Sequence, residues 1–505
     1  MARLRVHMCS VGLVLLLATA GCSSGDAKTG DGSTSAGGGA AAPLPPASPP
    51  GGYDVPPVQG DVRTETDPAS TFALDVDTAA YGYTRRVLAD GQLPEPSSVR
   101  PEEFVNALPQ DYPEPAGDGF SVSVDGARAE TFGEYGEHGS HIVRVGLQTR
   151  RQDSETRPDA ALTFVIDVSG SMAEPGRLDL VKDAMRTLVD QLRPTDSVAI
   201  VTFSDEAEVV QPMTPVRERA DLHAAVDRLV TEGSTNLEAG LVLGYDTARA
   251  GFREGASNRV VLLSDALANV GSTTAEPILA RVREQAGKGI ALLGVGVGSE
   301  YGDALMEQLA DQGDGFTAYV SELGEARRLF VERLPATLQV RALDAKAQVR
   351  FDPEEVLSYR LIGFDNRAVA DEDFRDDAVD GGEVGPGHTV TALYVVQLAT
   401  GGGLDDEIGQ VDVHWVDPAS RSPRDAVRPI RTSDIERSGE DASAWLTADV
   451  TAARLAEALR DGRGDLSGLA GEAARVAGRL ENPDVVALAD MARRAADLAG
   501  SGLPR

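Results

Sequence analysis

The chain has 505 residues and a formal net charge of -33 at pH 7, with 80 acidic residues against 47 basic ones. A field of this sign repels nucleic acid phosphates and anionic lipid surfaces, which excludes a protein that binds either of them by charge. The length is sufficient for two to four domains with substantial cores.

The N-terminus has the pattern of a secretory signal. Basic residues precede the apolar run 11–17, which leads into Ala20-Gly21-Cys22. We expect a signal over residues 1–21 and lipid modification of Cys22, although Thr19 stands where leucine is usual. The alternative is an ordinary signal peptide with an incidental cysteine. No other stretch approaches the roughly 18 apolar residues that span a bilayer, so we expect an extracytoplasmic protein held to the cell membrane by lipid alone.

Only two cysteines occur in the chain, Cys9 and Cys22, so we expect no internal disulfide after the signal is removed. Residues 22–60 are rich in Gly, Ser, Ala and Pro, which predicts a flexible tether. A mostly helical segment is predicted over 61–117, with a short strand at Phe72–Val76. Within it, Asp75 and Asp77 suggest a second metal site, but a helix N-cap at Asp77 or Thr78 is the simpler interpretation.

Alternating polar and apolar residues predict half-buried strands in 118–155 and again in 336–435. Because these stretches flank a different pattern, we expect one β-sandwich into which residues 156–335 are inserted. Strand contacts between 120–147 and 347–415 would support this hypothesis. The final segment, 436–505, is rich in Ala and Leu with helical spacing and predicts a helical bundle or cap.

Between 156 and 335, buried strands and amphipathic helices alternate. This pattern predicts an α/β fold with a doubly wound, mostly parallel sheet, to which Glu208–Val210 adds an antiparallel edge strand. The predicted buried strands are Leu162–Asp167, Val198–Phe203, Val260–Asp265, Ile290–Val297 and Phe316–Val320.

Polar residues follow the strands of this predicted sheet, at the edge where open parallel sheets bind ligands. Hydroxyl and carboxylate oxygens suit Mg2+ or Mn2+, and a cation held mostly by neutral hydroxyls accepts one further anionic oxygen from a partner. One Asp-x-Ser-x-Ser turn alone is equally typical of helix caps, and a degenerate site without metal is a further alternative. The predicted metal ligands are Asp167, Ser169, Ser171, Thr235 and Asp265.

The Asp-x-Ser-x-Ser turn at 167–171, Gly233-Ser234-Thr235-Asn236 and Ser264-Asp265-Ala266 together resemble a von Willebrand factor type A domain with its metal-ion-dependent adhesion site. The resemblance implies that the serines and Thr235 bind the metal directly, and that the two aspartates bind it directly or through water. Ala266 departs from the family, which usually has glycine there.

The flanks of this domain resemble bacterial von Willebrand factor type A lipoproteins over roughly residues 70 to 500. The segments that carry this resemblance are 71–81, Leu93-Pro94, 99–103, 359–367 and 387–394.

Other motifs are weaker. The glycines of 294–298 lack the full dinucleotide-binding pattern and are more typical of a tight turn or of close helix packing. Arg463-Gly464-Asp465 is more typical of a turn between helices than of an integrin-recognition motif. His138 and His141 could chelate a metal weakly, but they are interpreted as residues of a solvated loop. The acidic cluster is interpreted in the same way, because it lacks the EF-hand spacing of a Ca2+ site. That cluster comprises Asp371, Glu372, Asp373, Asp376, Asp377 and Asp380.

The sequence therefore favours a non-enzymatic cell-surface lipoprotein that binds a protein partner through Mg2+ or Mn2+, the partner supplying a carboxylate. One alternative is a structural or assembly factor that binds through its flanks while the metal only braces the loops. A metal-dependent hydrolase is the third hypothesis, since Mg2+ can activate water, but no general base is evident beside the ligands.

Overall fold

A computed structural model describes most of the chain from Gly60 to Gly500, within one compact unit, Tyr53–Arg505. The predicted signal, Cys22 and most of the tether lie outside the described residues. Among those described, no helix combines the length and the apolar composition that crossing a membrane requires. The described ranges are 60–74, 77–132, 140–151, 157–265, 275–297, 303–313, 315–320, 323–327, 329–330, 340–365, 367–376, 379, 381–399, 403, 405–418, 420–435 and 442–500.

Strands and helices follow one another along these ranges. The strands are β1 Val62–Arg63, β2 Ala69–Ala73, β3 Phe120–Arg128, β4 Ser140–Thr149, β5 Ala160–Asp167, β6 Ser197–Phe203, β7 Ala207–Pro215, β8 Ser257–Ser264, β9 Ile290–Val297, β10 Phe316–Val320, β11 Leu343–Phe351, β12 Val356–Leu361, β13 Thr389–Leu398, β14 Glu407–Val416 and β15 Pro423–Arg431. The helices are α1 Ala79–Ala89, α2 Pro101–Asn106, α3 Leu178–Gln191, α4 Arg219–Asp227, α5 Leu237–Ala250, α6 Ala275–Ala286, α7 Asp303–Asp311, α8 Leu323–Arg327, α9 Thr432–Ile435, α10 Ala444–Asp461, α11 Leu466–Leu480 and α12 Pro483–Gly500.

The central sheet has the strand order β10-β9-β8-β5-β6-β7, and only the edge strand β7 runs antiparallel to its neighbour. Both faces are covered by helices. Along β5, Phe164 and Ile166 join the core under α3 and α4, whereas Val165 joins the core under α5, α6 and α7. The run is continuously apolar because each face of a parallel sheet is buried, so the predicted doubly wound α/β fold is confirmed.

Two antiparallel sheets flank this domain in the sequence. Their strand orders are β1-β12-β13-β4-β3 and β15-β14-β11-β2, and apolar residues of both sheets form one core. Strand β4 pairs with β13 along most of its length, from Gln148 opposite Thr389 to Ser140 opposite Gln397. These are the strand contacts on which the hypothesis of an inserted domain depends.

The N-terminal segment differs from its mostly helical prediction, because it also supplies a strand to each of these sheets. Strand β1 pairs with β12, and β2 pairs with β11. The strand expected at Phe72–Val76 begins earlier, at Ala69, and its last two residues lie outside the described part. Pairing with β2 covers backbone groups of β11 that an open sheet edge would leave exposed.

The C-terminal helices α10, α11 and α12 share a core with α1 and α2. Helix α10 ends at Asp461 and is followed by its C-cap residue Gly462, which has a φ of 66°. The Asp465 side chain caps α11 by accepting a hydrogen bond from the Gly468 N–H at 2.9 Å. Arg463-Gly464-Asp465 is therefore a turn between helices, as the sequence indicated.

The N-cap residue of α1 is Thr78, one of the two candidates from the sequence, whereas Asp77 has a different role. It is 2 % exposed and accepts the Thr317 N–H of β10 at 2.6 Å and the Arg367 guanidinium at 2.8 Å. Thr78 makes no side-chain cap, and Glu103 of α2 accepts the Ala80 N–H of α1 instead, at 2.7 Å. A carboxylate of α2 thus accepts a backbone N–H at the start of α1, where the sequence predicted a cap from an adjacent residue.

The solvated-loop interpretation is also wrong for His141, which is 6 % exposed within β4, while His138 lies outside the described residues. Strand β4 is buried on both faces because residues of α10, such as Leu446 and Val450, pack on the side facing away from the sandwich core. Gly294 lies inside β9, where a Cβ would come 2.6 Å from the Met306 side chain of α7, so close helix packing explains it.

Asp371–Asp373 of the acidic cluster form a single 3-10 turn. Glu372 and Asp376 are exposed, consistent with a solvated loop, but Asp371 is partly buried and accepts the Thr71 hydroxyl at 2.5 Å. Asp377 and Asp380 lie outside the described residues.

Replacement of Asp77 by alanine tests the tie that it makes between the N-terminal segment, β10 and the Arg367 loop. Because Arg367 would remain buried without this carboxylate, we expect a loss of about 3 kcal/mol in the free energy of unfolding. The exposed i,i+4 pair of Asp90 with Arg86 provides the control, and Asp90→Ala is expected to cost less than about 0.5 kcal/mol. Urea unfolding measures both, and equal losses would contradict the assignment.

Candidate metal centre

The predicted ligands lie on loops at the carboxyl ends of neighbouring strands. The loop after β5 is fixed to the end of β6 by a backbone hydrogen bond from Val168 to Phe203, at 3.0 Å. A second backbone bond, from Gly170 to Gly233 at 3.1 Å, joins it to the loop that precedes α5. These bonds bring three segments that are distant in sequence to one edge of the sheet.

Asp167 is the last residue of β5 and has no solvent exposure. Its Oδ1 accepts the Ser169 backbone N–H at 2.9 Å, and its Oδ2 accepts the Ser264 hydroxyl at 2.6 Å. The carboxylate is thus oriented by one bond from its own loop and one from the end of β8.

A chain of hydroxyls leads from this loop to the second aspartate. The Oγ atoms of Ser169 and Ser171 are 3.1 Å apart, and the Ser171 hydroxyl donates to Asp265 Oδ1 at 3.0 Å. Asp265 directly follows β8 and, like Asp167, has no exposure. Hydrogen bonds therefore join four of the five predicted ligands in series, from Asp167 through Ser169 and Ser171 to Asp265.

Thr235, the fifth predicted ligand, is 2 % exposed. Its loop is held at the site on both sides, by the bond from Gly170 to Gly233 and by a 2.8 Å bond from the Asn236 N–H to the Ser204 carbonyl. The Asn236 side chain then caps α5 by accepting the Ala239 N–H at 3.1 Å. Ala266, the departure noted in the sequence, lies outside the described residues.

The electrostatics of the site favour a bound cation. Burial raises the pKa of Asp167, and the negative charge of Asp265 raises it further, while hydrogen bonds from Ser264 and Ser169 act in the opposite direction. A neighbouring buried carboxylate of like charge disfavours the ionised form of Asp167. A divalent cation between the two would relieve this repulsion.

Sequence reasoning missed the one basic residue on the described ligand loops, Arg177. Its side chain is only 4 % exposed, and its Nη1 donates to Asp265 Oδ2 at 2.5 Å and to the Ser171 carbonyl at 3.1 Å. Its Nη2 pairs with Glu174 at 2.8 Å. Arg177 directly precedes α3, and no local sequence pattern distinguishes it from the other polar residues of that region.

Polar residues after β6 were also missed, although their signal is the same as at the other strand ends. Ser204 and Asp205 directly follow Phe203, and Asp205 accepts the Ser234 hydroxyl at 2.5 Å, next to Thr235. Ser264 is part of the Ser264-Asp265-Ala266 motif, from which only Asp265 was predicted as a ligand, yet the Ser264 hydroxyl orients Asp167.

The donor set fits a hard divalent cation. It consists of carboxylate and hydroxyl oxygens, which Mg2+ and Mn2+ accept, and it offers neither nitrogen nor sulfur. Among the described residues, no cluster of three or more His, Cys, Asp or Glu side chains could hold a metal, so this hydroxyl-rich arrangement is distinct from a carboxylate cage.

Comparison with known families agrees with this geometry. Residues 161–331 match the von Willebrand factor type A domain, residues 53–132 match a model described as von Willebrand factor, and residues 336–482 match the C-terminal domain of the uncharacterised protein YfbK.

YfbK of Escherichia coli K12 is 37 % identical to this chain over 336 residues, which is 66 % of the chain. The match spans 58 % of the length of YfbK.

Two solved structures are similar to parts of the chain. A von Willebrand factor type A protein from Catenulispora acidiphila aligns with 72 % of this chain and 86 % of its own, at 17 % identity and a TM-score of 0.46. Proximal thread matrix protein 1 of the mussel byssus, solved with a zinc-occupied adhesion-site motif, aligns with 35 % of this chain and 46 % of its own, at 24 % identity and a TM-score of 0.30.

Type A domains commonly mediate metal-dependent interactions between proteins and typically bind a divalent metal at the adhesion-site motif. The chain combines such a domain with a C-terminal domain of the YfbK type, and it is homologous to bacterial YfbK.

Proposed function

We propose that this protein is a lipid-anchored cell-surface lipoprotein that binds another envelope or extracellular protein through Mg2+ or Mn2+. The metal is held by Asp167, Ser169, Ser171, Thr235 and Asp265, and a carboxylate of the partner completes its coordination. The observation that carries this proposal is the convergence of two unexposed carboxylates with a chain of hydroxyls. The N-terminal pattern ending at Cys22 supports the location.

The surroundings of the site indicate what kind of partner surface presents that carboxylate. Around the predicted ligands, on 168–177, 203–206, 231–236 and 264–265, every exposed charge is negative, and the only basic residue is the buried Arg177. A lone acidic group would be repelled by this rim, whereas a carboxylate flanked by Lys or Arg is complementary to it. The rim, defined as these four exposed residues, comprises Glu174, Asp205, Glu206 and Glu232.

The same geometry disfavours the other two hypotheses. If the metal only braced the loops, they would depend on it, yet the guanidinium of Arg177 also joins Asp265 to Ser171. For a metal-dependent hydrolase, the described parts of the ligand loops contain no histidine to serve as general base, so we propose a non-enzymatic role.

Removal of the Asp167 carboxylate tests the proposed metal site. We expect Asp167→Ala to lose Mn2+ binding in calorimetry, because the cation loses a buried anionic ligand, and to lose partner capture from native envelopes as EDTA does. Asp183→Ala on the exposed face of α3 serves as the control and should behave as wild type. Undiminished capture both in the Asp167 variant and in EDTA would defeat the proposal.

The raised pKa of Asp167 predicts how metal binding depends on pH. Protons compete with the metal for this carboxylate, so Mn2+ affinity should fall as the pH is lowered through the raised pKa. For the metal-free protein the sign is opposite, because the folded state binds the proton more tightly than the unfolded state does. Its stability should therefore decrease as the pH rises through that pKa. Calorimetry and urea unfolding of wild type and Asp167→Asn measure both trends, and a flat pH profile for wild-type Mn2+ affinity would contradict the assignment.

Charge reversal at the rim tests the partner surface separately from the metal. The double variant Glu206→Lys and Glu232→Lys should weaken capture of the partner by about tenfold or more while Mn2+ still binds. Glu218→Lys, an exposed change at the start of α4, is the control. Stronger capture by the double variant would indicate an acidic partner surface instead.

A further inference from the structure

Arg177 has an unusual position for a basic residue, because it lies inside the predicted ligand set of a cation. Its side chain is 4 % exposed, and that of its partner Asp265 has no exposure. The guanidinium bonds both to Asp265 Oδ2 and to the backbone carbonyl of Ser171, so it spans two of the loops that carry ligands. No other basic residue lies on the described parts of these loops.

Both oxygens of Asp265 are occupied in this arrangement. Oδ2 accepts from Arg177 at 2.5 Å, and Oδ1 accepts from the Ser171 hydroxyl at 3.0 Å. The Asp167 carboxylate, by contrast, accepts from a hydroxyl and a backbone N–H, neither of which carries charge. Arg177 also pairs with the exposed Glu174, but of the two buried carboxylates it bonds only Asp265, which leaves Asp167 for an added cation.

A fixed guanidinium has two opposite effects at such a site. In the absence of metal it stabilises the loops, because a buried carboxylate without a counter-charge is costly. When a divalent cation enters, the same positive charge repels it and competes for Asp265 Oδ2.

We propose that Arg177 is a built-in counter-ion that keeps the site assembled without metal and lowers its intrinsic affinity for divalent cations. This inference rests on the proposed metal site and assigns to Arg177 a positioning and affinity-setting role. Arg177 keeps metal binding weak until a further anionic ligand, the partner's carboxylate, adds its own attraction. Retention of the metal is thereby coupled to capture of the partner.

The test compares Mn2+ binding and metal-free stability in wild type and Arg177→Gln at neutral pH. We expect the variant to melt about 3 °C lower in EDTA, because Asp265 is left buried without its cation. We also expect it to bind Mn2+ roughly tenfold more tightly in calorimetry, because one positive charge has been removed from beside the metal. A residue with a merely structural role would lower both quantities.

Two further variants make the comparison specific. Arg177→Lys keeps the charge and should bind Mn2+ with an affinity close to that of wild type, even if Arg177→Gln folds poorly. Arg186 of α3 pairs with Asp183 and Asp227 at the surface, and Arg186→Gln should change neither quantity appreciably.

The outcomes separate this inference from the proposed function. Binding of Mn2+ by wild type, with equal or weaker binding by Arg177→Gln, would overturn the counter-ion role and leave the metal site intact. Tighter binding by Arg177→Lys than by wild type would also overturn it. If neither wild type nor Arg177→Gln binds Mn2+, the proposed function and this inference both fall.

Discussion

Two carboxylates without solvent exposure, Asp167 and Asp265, lie at the ends of the neighbouring strands β5 and β8, and the organisation of the site follows from their burial. Removing a carboxylate from water is costly unless it is hydrogen-bonded and its charge is balanced. The chain meets this requirement with hydroxyls from Ser171 and Ser264 and with the guanidinium of Arg177. The balance is incomplete, because one positive charge faces two carboxylates, and a divalent cation is the complement that this excess of negative charge favours.

The site lies at the carboxyl ends of central strands of the sheet, whereas the flanking regions contact an edge strand of the same sheet. The site lies where β5, β6 and β8 end, whereas α1 packs on β10, the edge strand, which β9 separates from β8. Asp77 ties this attachment to the flanks through the Thr317 N–H and Arg367. The same carboxylate thus bonds a strand of the type A domain and a loop beyond it in sequence, which makes the Arg367 pair a physical link between the two regions.

The sequence was sufficient to predict the doubly wound sheet and the loops on which the site is built, because buried parallel strands are continuously apolar and polar residues at their ends are easily recognised. It was insufficient wherever a residue's environment depends on distant segments. Arg177 is a helix-start arginine in sequence and a buried counter-ion in the structure. His141 follows a polar stretch, yet it is buried within β4 between the paired strands β3 and β13, and Asp77 bonds partners about 240 and 290 residues away rather than its own helix. All three residues are buried by segments distant in sequence, and a local periodicity does not predict such burial.

The central claim is that the excess negative charge at Asp167 and Asp265 holds a divalent cation. Anomalous X-ray scattering from crystals of the full chain soaked in Mn2+ tests it most directly. A peak is expected within bonding distance of the hydroxyls of Ser169 and Ser171, bordered by Thr235 and both carboxylates. No peak at this position in well-ordered crystals, or a peak only at the acidic loop around Asp371, would contradict it.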